Sequence, residues 1–78
     1  MAWIVDFKVK DGKGRKQPTD VTTHVKIFDG IDLDPIVQID TYGSEDRENP
    51  GKQSQTLQFG KVAAAELYTI LKKTYNFK

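Results

Sequence analysis

Seventy-eight residues bound the chain to one domain, near the lower size at which a hydrophobic core suffices without covalent staples. Hydrophobic residues are 37% of the chain and charged residues 29%, which is modest for a globular protein but does not indicate disorder; with no cysteine, a disulfide framework and a thiolate metal site are both excluded. Twelve Lys and Arg against eleven Asp and Glu leave a net charge of +1, without the basic excess of a dedicated duplex-DNA binder.

The opening run "MAWIVDFKVK" has no charged start followed by a long apolar stretch, and no apolar stretch approaches the length of a membrane span. The expectation is a cytoplasmic protein with no membrane contact. Residues 3–9 alternate strictly, Trp3, Val5, Phe7 and Val9 against Ile4, Asp6 and Lys8, and this period of two predicts a half-buried strand. "DGKGRKQPTD" reads as a loop, and it helps concentrate Lys8, Lys10, Lys13, Arg15 and Lys16 against the single acid Asp11 between positions 8 and 16. A second strand is expected over 21–28, a third over 36–42 after the turn begun by Asp29-Gly30, and a fourth over 54–59. Ala63, Ala64, Leu67, Ile70, Leu71 and Thr74 then fall at helical spacing, predicting a helix over 61–75 with Lys72 and Lys73 at its C-terminal end.

These elements give an α+β domain over 1–78: a curved four-stranded, mostly antiparallel sheet followed by one C-terminal helix. The helix is expected to cover the sheet face bearing Val5, Phe7, Val25, Ile27, Val37, Ile39, Leu57 and Phe59. The opposite face, open to solvent or a partner, would then display Lys8, Lys10, His24, Lys26, Phe28, Gln38, Asp40, Tyr42, Ser54, Thr56 and Gln58. Rings among lysines and hydrogen-bonding groups suit an unpaired nucleic-acid strand, through base stacking and backbone contacts.

Several sharper chemistries are disfavoured. Glu45, Asp46 and Glu48 lie in the polar connection "GSEDRENPGK", where neighbouring acids point apart and Arg47 balances charge. Asp29, Asp32 and Asp34 lack the glycine and bidentate glutamate of a calcium loop, and Gly12-Lys13-Gly14 lacks the helix and Lys-Ser/Thr ending of a phosphate loop. His24 is the sole histidine, and no serine sits in a nucleophile elbow. The expectation is no metal, no cofactor and no catalysis.

The strand–strand–strand–strand–helix order, the run "HVKIFDGIDLDPIVQIDTY", the polar loop closed by Pro50-Gly51-Lys52 and the apolar helix directly after the last strand resemble the PC4-type, transcriptional coactivator-like fold over roughly residues 21–73. Members of that family are small homodimers that bind single-stranded DNA with curved β-ribbons. In the family strand that reads Ile-Asp-Ile-Arg-Glu-Tyr, Val37, Ile39 and Tyr42 fill the apolar and aromatic places here, while Asp40 stands at the arginine. Gln53 and Ser54 replace the second basic residue and the glycine after Lys52, and alanines occupy the region of the family's helical tryptophan. What the resemblance carries over is Tyr42, Gly51 and Lys52, with Lys26 as a strand base.

The expected function is a homodimeric module binding single-stranded nucleic acid, in transcription or a DNA transaction. Lys8, Lys10, Lys26, Arg47 and Lys52 would meet the backbone, Phe28 and Tyr42 would stack, and Ser54 and Thr56 would add hydrogen bonds. The alternative is a protein-binding regulator or inhibitor, such as a small phage- or mobile-element-encoded factor. It is suggested by the near-neutral charge and by Tyr68, Tyr75 and Phe77 on or near the helix.

Overall fold

The computed structural model describes residues 1–30, 32, 34–42 and 53–78. The chain forms β1 (Ala2–Ile4), β2 (Thr23–Asp29), β3 (Pro35–Tyr42), β4 (Gln53–Phe59) and α1 (Lys61–Tyr75), an α+β arrangement of one mixed, open sheet and one C-terminal helix. The strands lie in the order β1-β4-β3-β2. β2 pairs antiparallel with β3 and β3 antiparallel with β4, while β1 joins the far side of β4 in parallel.

Register assigns the faces, because directly opposed residues point to the same side. His24 opposes Asp40, Lys26 opposes Gln38 and Phe28 opposes Ile36, while Asp40 opposes Thr56 and Gln38 opposes Gln58. This is the polar face. Val25 with Ile39 and Leu57, and Ile27 with Val37 and Phe59, make the apolar face. The pairing slips by one residue between Thr41 and Tyr42, so Tyr42 meets Gln53.

The first strand departs from its sequence pattern. Only Ala2–Ile4 pair, and residues 5–22 form no helix or strand. The reason is the neighbour: β4 ends at Phe59 and the chain turns into the helix at Lys61, so from Val5 onward no strand is alongside to bond. Trp3 opposes Gln58 and so falls on the polar side, whereas Ile4 sides with Phe59. Phe7, though outside any strand, still reaches the expected core, its ring meeting that of Phe59 edge-on at 5.8 Å.

The helix begins at Gly60 with no side-chain cap and no acid in its first turn, and ends where Asn76 enters the left-handed region. Asn tolerates that conformation, and Phe77 N–H returns to Lys72 O at 3.1 Å to close the end. Ala63 is buried on the inner side.

The turn between β2 and β3 closes through Gly30 N–H donating to Asp34 O at 3.0 Å, with Asp32 at φ 56°. A Cβ at Gly30 would stand 2.6 Å from Ile36 Cγ1 and 2.7 Å from the Asp34 carbonyl oxygen. Backbone is one of the obstacles, so the turn itself must shift. Gly30→Ala is therefore expected to cost about 1–3 kcal/mol, read as a lower urea midpoint with unchanged slope.

The apolar face is not sealed by the helix as expected. Val25 is 59% and Ile27 72% exposed, and among the described residues Phe59 and Ala63 are the buried hydrophobic ones. The accessible surface is 7089 Å², on the order of 2,000 Å² above that of a compact protein of 8.8 kDa. The Cα radius of gyration of 14.8 Å likewise exceeds the roughly 11–12 Å of a compact domain this long.

Candidate functional site

The polar face carries the most deeply buried polar groups described. Asp40 is 0% and Thr56 2% exposed. A carboxylate at such a position must be satisfied by donors, because an ionised group taken out of water without partners is strongly destabilising. The neighbours supply them. Gln38, two residues earlier on β3 and on the same face, donates its Nε2 amide to both Asp40 oxygens at 3.0 and 3.1 Å. Thr56, directly opposite on β4, donates its hydroxyl to Oδ1 at 2.9 Å. Lys26 Nζ lies 3.7 Å from Oδ2.

The carboxylate orders the whole row. Asp40 only accepts, so Gln38 must turn its NH₂ inward, which leaves its carbonyl to receive Nε2 of Gln58 at 2.7 Å. One buried acid thus sets the orientation of two amides and a hydroxyl across β3 and β4. Burial by itself raises the Asp40 pKa; the hydrogen bonds from Gln38 and Thr56 and the charge of Lys26 outweigh it and hold the carboxyl below its ordinary 3.8.

This network changes the meaning of the expected contact residues. Thr56 was expected to face a ligand, but it is buried with its hydroxyl committed to Asp40. Gln38 and Gln58 are likewise turned into the row. Lys26 remains exposed, with its charge partly balanced by the acid beneath it. Lys8 and Lys10, expected on the open face, lie outside the sheet; Lys8 is 3.8 Å from Asp6 across one intervening residue. Arg47 and Lys52, with Gly51, lie outside the described residues, as do Glu45, Asp46 and Glu48. Ser54 belongs to β4, but its side chain is outside the description.

The two rings expected to stack both lie on the polar side, as do His24 and Trp3. Phe28 is exposed opposite Ile36. Tyr42 is half-buried, its ring tilted 55° against His24 with centroids 4.6 Å apart. His24 and Phe28 are four residues apart on β2, roughly 13 Å along the strand, with Lys26 between them. The rings do not form one platform.

Sequence reasoning missed the Asp40 row, although a signal was present. Gln38-x-Asp40 and Thr56-x-Gln58 share one spacing on strands either side of the polar connection, and the one-residue slip between Thr41 and Tyr42 brings the two pairs face to face. Among the described residues no group of three or more His, Asp or Glu is placed to hold a metal ion, and no helix is long and apolar enough to cross a membrane. A cleft of about 300 Å³ at the sheet end, walled by Trp3, Ile4, Pro35, Ile36, Val62 and Ala63, is predominantly apolar. In comparisons with known proteins, no family model, no curated protein and no solved structure matches this chain.

Proposed function

We propose that this protein is a non-catalytic binding module that works by docking a polypeptide partner against its apolar sheet face and exposed edge. The observation that supports it is the inverted burial pattern: Val25 and Ile27 face solvent while a carboxylate is fully enclosed on the opposite face. Scattered exposed hydrophobic residues are ordinary, but an apolar face with so small a core beneath it is the pattern of an interaction surface.

Hydrophobic-dye binding and urea unfolding, followed over a wide range of protein concentration, test this reading. The dilute chain should bind dye, and the signal should disappear on association, either with itself or with a protein recovered stoichiometrically after nuclease treatment. No dye binding at any dilution, together with an unfolding midpoint indifferent to concentration and to added protein, overturns it.

A second reading, single-stranded nucleic-acid binding, is favoured by the exposed basic stretch from Lys8 to Lys16 and by Lys26 between two aromatic positions. In this reading Lys8, Lys10, Lys26, Arg47 and Lys52 hold the backbone while Phe28 and Tyr42 stack on bases. Anisotropy of labelled oligonucleotides at two salt concentrations separates the readings. Phosphate-driven binding weakens steeply with salt, whereas apolar docking does not. Absence of binding at low salt and tens of micromolar protein removes the second reading.

A further inference from the structure

β4 stops at Phe59 and the chain turns into α1 at Lys61, while the chain on either side runs past that point. Ile4 opposes Phe59, so Val5 already stands beyond the end of β4. Val37 also opposes Phe59, so Ile36 and Pro35 stand beyond it on the other side. β1 and β3 are separated by two strand spacings, about 9–10 Å. The end of β4 therefore leaves a slot between them, with Trp3, Ile4 and Val5 along one side, Pro35 and Ile36 along the other, and the first turn of α1 closing it. Its volume of about 300 Å³ is at the small end of the roughly 300–1,000 Å³ of small-molecule sites.

Two of the residues lining this apolar slot are charged, Asp34 and Lys61. They belong to different walls. Continuing the β3–β4 register two residues past Val37 and Phe59 brings Pro35, next to Asp34, alongside Lys61. Both charged residues are exposed, and among the described residues neither makes an ion pair, with the other or with a third group. Ligand sites of this kind use apolar walls for contact and a few polar groups for orientation. One carboxylate and one ammonium, neighbouring and unpaired on an apolar slot, match a ligand that carries the opposite pair close together.

We propose that the slot binds a free α-amino acid with an apolar side chain. The side chain enters between β1 and β3, the ligand's ammonium meets the Asp34 carboxylate, and its carboxylate meets the Lys61 ammonium. A neutral apolar molecule would leave both charges unused, and a simple anion or cation would meet a like charge beside its partner. The slot lies across β3 from Val25 and Ile27, so this site does not rest on the binding reading above.

Trp3, the sole tryptophan, lines the slot and reports its occupancy. L-Leucine or L-phenylalanine, added to the dilute chain at neutral pH, should change its emission saturably. N-acetyl-L-leucine lacks the ammonium and L-leucinamide lacks the carboxylate; each should bind about fivefold more weakly than L-leucine, the most that one exposed ion pair contributes. Lys61→Gln should remove the preference for leucine over leucinamide, and Asp34→Asn the preference for leucine over N-acetylleucine. Both variants should keep the circular dichroism of the parent, because neither side chain holds a partner within the chain. No saturable change with either amino acid at tens of millimolar overturns the proposal. So do three leucine compounds that bind alike, which shows apolar partition only, and preferences that survive both substitutions, which put the ligand elsewhere. Dye binding by the sheet face is decided separately from all of these outcomes.

Discussion

Asp40→Ala is expected to lower the thermal midpoint by on the order of 10 °C, with Asp40→Asn losing clearly less. Alanine removes the common acceptor of Gln38, Thr56 and Lys26. Thr56 is buried, so water does not readily replace the lost acceptor, and its hydroxyl bears the penalty; Lys26 is exposed and simply returns to solvent. Asparagine keeps an oxygen for Thr56 but presents an NH₂ toward Gln38. The row then has to reverse: Gln38 turns its carbonyl toward residue 40, and Gln58 turns its own carbonyl toward Gln38 to accept the amide now facing it. The bonds survive with opposite polarity and without the Lys26 attraction, hence the intermediate loss. Alanine and asparagine variants melting alike would show that the row carries no orientational constraint.

The same group sets an acid limit. Its folded pKa is depressed below the ordinary 3.8, so the stability it contributes is fully present above that value and is lost as pH falls through the folded value. Urea midpoints measured from neutral pH downward should therefore drop more steeply below pH 3.8 in the parent than in Asp40→Asn. Parallel curves for the two proteins would show that Asp40 is not the titrating group.

The sequence patterns located elements better than they located environments. Strict alternation marked β2, β3 and β4 within a residue or two, because each has a partner that gives the period of two something to face. The same alternation over 3–9 failed beyond Ile4, since a strand needs a neighbour and β4 stops at Phe59. Helical spacing marked α1, whose apolar stripe does not depend on long-range pairing. Periodicity also separated the two sheet faces correctly through β2, β3 and residues 55–59 of β4, but it could not say which face is enclosed. Hydrophobicity alone predicted that Val25 and Ile27 would be covered and Asp40 open, and the structure has the reverse. That outcome depends on the Gln38 and Thr56 hydrogen bonds, a property of three-dimensional pairing, and on an apolar face that one short helix leaves unfinished.

Phe59→Ala is expected to leave the dilute chain largely unfolded. Phe59, 6% exposed, is the one large hydrophobic side chain described as buried, and it holds Phe7 and with it the start of residues 5–22 against the sheet. Truncating a buried phenylalanine costs about 3–5 kcal/mol, against a total near 4–12 kcal/mol for a domain of this length at roughly 0.05–0.15 kcal/mol per residue. With so little other core, this chain belongs at the lower end of that range, so the loss consumes most of the margin. Phe7→Ala removes only the edge-on partner and should cost less. Val25→Ala, already in solvent, should be nearly silent in the isolated chain and should matter only where chains associate. Trp3, the sole tryptophan, reports the transition, because its ring lies 3.4 Å from where a Cβ on Gly60 would stand, next to Phe59 in the chain. Fluorescence-monitored urea unfolding at low protein concentration should show Phe59→Ala without a native baseline, whereas Val25→Ala should overlay the parent. Raising the concentration should restore a folded baseline to Phe59→Ala if association supplies apolar contact that the single chain lacks, since a state that binds only when folded is favoured by mass action. If Val25→Ala and Phe59→Ala lose the same stability at high dilution, the apolar face is already packed within one chain, and the binding role assigned to it falls.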